Sequence, residues 1–315
     1  MRRSQVLTLY VLTLVTVGLV APTGLADEIV WSINASVSFP HIVEIDVSTN
    51  QLLTNFVAPT ADPLVATANG RGLAYNNATG VIYYGFATTS GGLADDGKIY
   101  ETNAAGQDLG VLFNTGLAGI STLTFDGTHL WVTSASPIPS LDNNIYEYSL
   151  TGTLLGTFSG LGDLRDGVTI ANGFFLGNQG QGKGPYDQYQ LVGSTLKLVS
   201  PAFINPVAAV PSLIGTLTGI TWDGTDYFVS NPSGYGIGTQ GIMVFDSSGH
   251  FLTEVRLPDP GPQPTGSGST TGWLLENLAA VTGSGTPAVP EPASVMLLGT
   301  VVLLLSRHYI RRRQK

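Results

Sequence analysis

Five short segments of this sequence resemble one another and recur at intervals of roughly fifty residues. Each has an aliphatic residue second and a small residue third, and most have a bulky apolar residue fourth. The successive aliphatic residues are 50, 45, 52 and 58 positions apart, counted along Leu73, Leu123, Val168, Ile220 and Leu278. Because alternate side chains of a strand point to opposite faces, each segment is predicted to be a strand with a different residue type on each face.

The residues after each segment also repeat in order. After 72–75, a tight turn at 76–80 precedes an aromatic strand at 81–86, and a longer loop leads to strands at 98–101 and 108–113. Repeats of this length with four antiparallel strands are typical of the blades of a β-propeller. We therefore predict an all-β fold of the β-propeller class.

The two ends of the repeat region complement each other. Residues 28–57 contain three predicted strands, whereas 278–281 is a single strand at the far end. We predict that this C-terminal strand completes the N-terminal blade and closes a ring of five four-stranded blades, because closure leaves no strand edge unpaired. Segment 164–203 matches the repeat least well, so a six-bladed propeller and a distorted sandwich stay open as alternatives.

The N-terminus has the pattern of a secretory signal peptide. Arg2 and Arg3 precede an apolar run at 6–20, and small residues follow up to Ala26. This order of charge, apolar stretch and small residues predicts export, with cleavage after Ala26. A retained membrane helix is the alternative, but the apolar run is short and is interrupted at Pro22 and Gly24.

The C-terminus combines three features. Pro290, Glu291 and Pro292 precede an apolar run at 295–305, and a basic end follows that contains Arg311, Arg312 and Arg313. The apolar run is short for a membrane span, and snorkelling arginines extend its reach. The positive-inside rule places the arginines in the cytoplasm and the preceding domain outside.

This C-terminal segment resembles the PEP-CTERM sorting signal over residues 288–315. The resemblance implies a Gram-negative-type host that makes extracellular polysaccharide. It also implies a partnership with an exosortase, which cleaves near the Pro-Glu-Pro, as well as with the export machinery and the inner membrane. A plain tail anchor predicts the same topology without cleavage. The chain is thus predicted to consist of a signal peptide (1–26), a propeller domain (27–287, with a low-complexity loop at 260–273 and a linker at 283–288) and a sorting segment (289–315).

The composition of residues 27–287 excludes several classes of function. This region contains 21 acidic residues and six basic ones, which gives it a formal charge of −15. Such a surface repels nucleic acid and anionic lipid, and it suits cations, neutral glycans or simple solubility outside the cell. The chain has no cysteine, so disulfides, thiol catalysis and cysteine metal sites are not available to it.

The predicted strand order places the tight turns on one face and the longer loops on the other. Long loops on a rigid scaffold are frequent binding sites. Arg71, Asp166, Glu276 and Asn277 lie at the starts of inner strands on the long-loop face, and they form the candidate ligand site. Their carboxylate and amide oxygens would suit Ca²⁺, with Asp166 and Glu276 as metal ligands. The alternative is that Arg71 and Asp166 pair with each other or cap strand ends.

The sequence shows no serine elbow, no phosphate-binding loop and no histidine metal motif. Tyr186, Tyr189 and Tyr235 are candidates for stacking on sugars, with loop packing as the alternative. Asp126 and Asp223 are interpreted as turn formers. We expect a non-enzymatic surface protein that binds polysaccharide or another surface component. A calcium-dependent hydrolase or lactonase at the channel mouth is the first alternative, and a structural matrix protein is the second.

Overall fold

The structure is a computed structural model that describes residues 28–34, 40–59, 69–87, 97–134, 144–161, 167–178, 185–210, 217–231, 241–257 and 275–282. The predicted signal peptide with Ala26 and the predicted sorting segment with Pro290, Glu291, Pro292 and its arginines lie outside the described residues. Within the described part of the chain, no helix is both long enough and apolar enough to span a membrane.

The described residues are almost entirely strands. They form β1 (Ile29–Asn34), β2 (His41–Asp46), β3 (Gln51–Val57), β4 (Asn69–Asn76), β5 (Val81–Ala87), β6 (Lys98–Asn103), β7 (Asp108–Asn114), β8 (Ile120–Phe125), β9 (His129–Ser134), β10 (Asn144–Ser149) and β11 (Leu154–Ser159). There follow β12 (Val168–Ala171), β13 (Phe174–Asn178), β14 (Tyr186–Val192), β15 (Thr195–Ile204), one helical turn α1 (Pro206–Ala209), β16 (Gly219–Trp222), β17 (Tyr227–Asn231), β18 (Gly241–Phe245), β19 (Phe251–Arg256) and β20 (Leu275–Ala280).

The strands pair into four-stranded antiparallel units. Three units are separate sheets, with the orders β20-β1-β2-β3, β4-β5-β6-β7 and β16-β17-β18-β19. The units β8–β11 and β12–β15 join through one parallel pair between their outer strands, Ser159 with Thr195. The segment that matched the repeat least well therefore forms the same four-stranded unit as the others.

Aspartates fix the tight turns that link strands within a unit. The Oδ1 atom of Asp126 accepts hydrogen bonds from the amides of Thr128 (2.8 Å) and His129 (2.7 Å). Asp223 does the same for Thr225 and Asp226. Gly127 and Gly224 follow with φ of 99° and 110°, a conformation that glycine adopts without strain. The predicted turn role of both aspartates is confirmed.

The core is divided into clusters that lie between neighbouring units. The aliphatic second residue of each repeat is at most 1% exposed, and each belongs to a different cluster: Leu73, Leu123, Val168, Ile220 and Leu278. Burial of one such side chain contributes roughly 1.5–3 kcal/mol to folding. Each repeat therefore contributes one buried aliphatic side chain to the packing between units.

The last strand joins the first unit, as predicted. β20 is antiparallel to β1, with Val30 opposite Ala280 and Trp31 opposite Ala279, and the amide of Val281 donates to the carbonyl of Ile29 at 2.8 Å. β20 also contacts the inner strands β4 and β16 of the units on either side. The described residues thus have an all-β, propeller-like fold, which confirms the predicted class.

Candidate functional site

The first strands of the repeats, β4, β8, β12, β16 and β20, surround a central space that we call the channel. These strands all begin on the face of the predicted long loops, which we call the upper end of the channel. Tight turns follow four of them at the lower end. Both ends carry polar side chains, and their chemistry differs.

At the upper end, the structure brings together three of the four predicted site residues. Arg71 lies near the start of β4, and Glu276 and Asn277 lie on the neighbouring strand β20. Glu276 and Asn277 are almost completely buried, at 5% and 1% exposed. Arg71 and Glu276 both have interaction partners. Asp166 lies outside the described residues.

Asn277 connects three inner strands. Its Nδ2 atom donates to the carbonyl oxygens of Leu73 (2.9 Å) and Leu123 (2.8 Å), which lie on β4 and β8. The backbone carbonyl oxygen of Asn277 accepts a hydrogen bond from the hydroxyl of Ser32 at 2.7 Å. The Oδ1 atom is buried and has no hydrogen-bond partner among the described residues. The side-chain nitrogen of Asn277 therefore holds the strands together, whereas its side-chain oxygen has no partner among the described residues.

Other buried oxygens near the upper ends of the strands share this property. Asn178 Oδ1, Ser121 Oγ and Thr133 Oγ1 have no hydrogen-bond partner in the described part of the chain. A buried polar atom without a partner costs about 1–3 kcal/mol, so ordered water, a cation or a ligand group would stabilise such atoms. Oxygen acceptors are also the ligand type that Ca²⁺ prefers.

At the lower end, the channel contains a small cavity of about 60 Å³ that is partly open to solvent. All of the inner strands contribute to its wall. The small third residues of the repeats line it, namely Ala74, Thr124, Thr169, Thr221 and Ala279. Asn77 and Thr282, just beyond the ends of β4 and β20, complete the polar part. None of the described residues that line it is charged.

Aromatic residues form the rest of this wall. Tyr75, Phe125 and Trp222 are fourth residues of the repeats, and all three line the cavity. Each packs against a further ring: Tyr75 against Trp31 (centroids 5.9 Å apart), Phe125 against Tyr83 (5.7 Å) and Trp222 against Tyr227 (4.4 Å). Such contacts restrict ring motion. The cavity thus combines hydroxyl and amide groups with aromatic rings that are fixed by packing.

The threonines also have structural bonds. Thr221 Oγ1 accepts from the amide of Ala280 at 2.9 Å and thereby links β16 to β20. Thr169 and Thr221 are almost completely buried, at 3% and 7% exposed, so only a small part of each contributes to the cavity wall.

Acidic residues cluster near the lower end. Burial raises the pKa of Glu28, and repulsion by Asp226, Asp223 and Asp46 raises it further. Burial likewise raises the pKa of Asp226, with added repulsion from Asp223 and Asp246. The negative charge that remains at neutral pH would repel anionic ligands from this side.

The stacking role predicted for two tyrosines is wrong. Tyr186 is fully buried and Tyr189 is 3% exposed, because both lie in strand β14 rather than in a loop. The hydroxyl of Tyr186 donates to the carbonyl of Gly219 at 3.3 Å. Tyr235 lies outside the described residues.

The sequence interpretation missed the lower cavity because it ranked the two faces by loop length. The available signal was the third position of the repeat, which is threonine in three of the inner strands. These residues were recognised as small, but their hydroxyl groups were not considered as a site. The inward direction of the third residue, along all the inner strands at once, places them around one cavity.

Comparison with known proteins adds to this description of a propeller-like protein with a polar channel. No protein-family model and no curated protein matches the chain. Solved structures that resemble it include a Bacteroides caccae protein of unknown function, with 12% identity, a TM-score of 0.48, and coverage of 81% of this chain and 99% of that chain. A gluconolactonase from Xanthomonas campestris has 18% identity and a TM-score of 0.45, with coverage of 74% and 77%. A luciferin-regenerating enzyme has 11% identity and a TM-score of 0.42, with coverage of 75% and 79%. Likeness of this degree transfers no activity to this chain.

Proposed function

We propose that this protein is exported to the cell surface and that its propeller-like domain binds neutral carbohydrate in the lower cavity of the channel. In this proposal the domain is a binding module and not an enzyme. A polysaccharide outside the cell would be the natural partner. The acidic surface makes nucleic acid an unsuitable one.

The observation that carries the proposal is the composition of the cavity wall. Threonine hydroxyls, the Asn77 amide and the rings of Tyr75, Phe125 and Trp222 surround one space. Sugars present hydroxyl groups at their edges and apolar C–H faces, so they match a wall that has both hydrogen-bonding groups and aromatic surfaces. The described residues of the wall are uncharged, which favours a neutral ligand.

The test is a glycan-array screen of the purified full chain, followed by calorimetry with the neutral oligosaccharides that bind. Thr169→Val should weaken binding about threefold to tenfold, because it removes one hydroxyl from the cavity wall. Thr253→Val is the matched control, since Thr253 is exposed on the outer strand β19. Equal affinities of Thr169→Val and the wild type would contradict the proposed site.

The terminal segments support the rest of the proposal. A signal peptide cleaved after Ala26 would bring the chain across the inner membrane, and the PEP-CTERM-like segment would hold it there for an exosortase. Mass spectrometry of the mature protein would test this. A C-terminus near Pro290 is expected, and replacement of Pro290, Glu291 and Pro292 by alanines should leave the segment attached. A mature protein that begins at Met1 or always retains Arg313 would argue against sorting.

The finer description of the fold also belongs to the proposal. The recurring units, the clusters between them and the pairing of β20 with β1 support a propeller of five blades that the C-terminal strand closes. An experimental structure of the full chain would test the number of blades. A further unit within the residues not described would contradict it.

A second candidate function has its own supporting observation. Asn277 Oδ1 is buried without a described partner, and the carboxylate of Glu276 is next to it in sequence at the upper end. A Ca²⁺ ion bound there would support the hydrolase or lactonase alternative. Thermal unfolding of the full chain with Ca²⁺ and with a chelator would test it. A shift that Glu276→Gln abolishes would favour this function over carbohydrate binding.

A further inference from the structure

A cluster of possible metal ligands lies on the turn side of the unit β8–β11, apart from the channel. Oxygen and nitrogen atoms of Asp126, His129 and Glu147 all lie within 4.8 Å of one another. His129 Nδ1 is 2.8 Å from Glu147 Oε1 and 3.9 Å from Asp126 Oδ2. Two carboxylates therefore converge on one imidazole nitrogen.

The fold holds these groups in place. Asp126 is fixed by the turn, because its Oδ1 accepts from two backbone amides. The indole Nε1 of Trp131 donates to Asp126 Oδ2 at 2.7 Å. Trp131 pairs across the sheet with Glu147, which sets the distance between the two carboxylates. Hydrogen bonds from outside a ligand set orient the ligands and raise metal affinity.

A corresponding turn in another repeat shows that the turn itself does not require these residues. Residues 126–128 and 223–225 have the same sequence, Asp-Gly-Thr, and their aspartates make the same turn bonds. The position of His129 is taken there by Asp226. Phe228, five residues after Asp223, pairs with Val244, so the position of Glu147 is apolar. His129 and Glu147 thus occur together here for a reason other than the hairpin.

We propose that Asp126, His129 and Glu147 bind a divalent cation of the zinc type. Zinc accepts nitrogen and carboxylate oxygen ligands at about 2.0–2.2 Å, so adjacent ligand atoms around it are roughly 3–4 Å apart. The separations from His129 Nδ1 are close to this range. The three side chains are 32%, 25% and 17% exposed for His129, Asp126 and Glu147, which leaves room for water to complete the coordination. None of these three residues is among the described residues that line the carbohydrate cavity.

The experiment is a titration of the metal-free full chain with Zn²⁺ by calorimetry, and with Co²⁺ by visible absorption. One ion per chain should bind, and His129→Gln and Glu147→Gln should each weaken binding by about tenfold or more. His250→Gln is the matched control. His250 Nδ1 lies 3.3 Å from Asp246 Oδ2, but the described residues supply no third ligand there.

The outcomes separate a metal site from a simple ion pair. Retained folding of the variants is checked by thermal unfolding without metal, and only the wild type and His250→Gln should gain stability from Zn²⁺. An absence of Zn²⁺ binding by the wild type would overturn the proposal and leave His129 and Glu147 as an ion pair. So would equal losses of affinity in His129→Gln and His250→Gln.

Discussion

The side-chain nitrogen of Asn277 lies 2.9 Å from the backbone carbonyl oxygen of Leu73, a residue 204 positions earlier in the chain. The same nitrogen also reaches the carbonyl of Leu123 at 2.8 Å. One buried amide therefore joins the last strand to two other units. Asn277 at the predicted ligand site thus has a structural role, and only its side-chain oxygen has no hydrogen-bond partner among the described residues.

Replacement of Asn277 tests this task. Asn277→Asp should destabilise the fold by about 2–4 kcal/mol, because an oxygen would replace the donor that faces two carbonyl oxygens. Asn103→Asp is the control: Asn103 is more exposed, and its Oδ1 atom accepts from the amides of Ala105 and Gln107. Chemical unfolding of both variants measures the difference. Equal stabilities would mean that the Asn277 bonds contribute nothing net.

Close approach between inner strands gives a second prediction. A Cβ atom on Gly219 would lie 2.8 Å from the carbonyl oxygen of Glu276 and 3.0 Å from the Cα of Asn277. At the equivalent repeat position, a Cβ on Gly167 would lie 3.3 Å from its nearest neighbour, the carbonyl oxygen of Thr218. Gly219→Ala should therefore cost about 1–3 kcal/mol and Gly167→Ala distinctly less. The reverse order of stability would contradict the packing of β16 against β20.

Deletion of residues 274–287 removes β20 and with it the partner of β1. We expect the full chain with this deletion to lose its single cooperative unfolding transition, because an inner strand and the Asn277 bonds are lost together. Deletion of 283–287 within the predicted linker is the control and should unfold as the wild type does. A cooperative transition after the longer deletion would show that β20 is dispensable.

The raised pKa of Glu28 predicts a pH-dependent effect. A carboxyl group whose pKa is higher in the folded state stabilises the fold below its ordinary value of 4.5, and that stabilisation is lost as pH rises through the folded pKa. Glu28→Gln should therefore raise Tm at pH 7 modestly, and the gain should vanish below pH 4.5. Asp46→Asn should show no such gain. Burial raises the pKa of Asp46, but the hydrogen bonds from Ser48 and Thr49 together outweigh it and lower the pKa overall. A constant gain of Glu28→Gln across pH would contradict the electrostatic cause.

Much of the fold was predictable because turn-forming residues mark the ends of the strands in each repeat. Turn aspartates and glycines separate alternating runs, so the predicted strands at 81–86 and 98–101 fall within β5 and β6. The pairing of β20 with β1 was predictable because the N-terminal unit lacks one strand and a single strand is left over at the C-terminal end of the repeats. The unit β12–β15 matched poorly because its last strand is the longest, Thr195–Ile204, and pairs with β14 through register shifts.

The sites were less predictable because they depend on what different strands bring together. The cavity needs the third residue of every inner strand to face one space, and loop lengths carry no information about that. The meeting of His129 with Glu147 depends on the diagonal register between β9 and β10. Tyr186 looked like a loop residue because the turn-forming residues Gly184 and Pro185 directly precede it, although β14 already begins at Tyr186.

The most direct test of carbohydrate binding in the lower cavity is the tryptophan fluorescence of the full chain during titration with the neutral oligosaccharides that bind it. Trp222 lines the cavity, so binding should change the emission of the wild type. Trp222→Phe should remove most of this change while calorimetry still detects binding, and Thr253→Val should behave as the wild type. Tight binding without any change in emission, and with the same affinity in Thr169→Val, would place the ligand elsewhere and contradict the account.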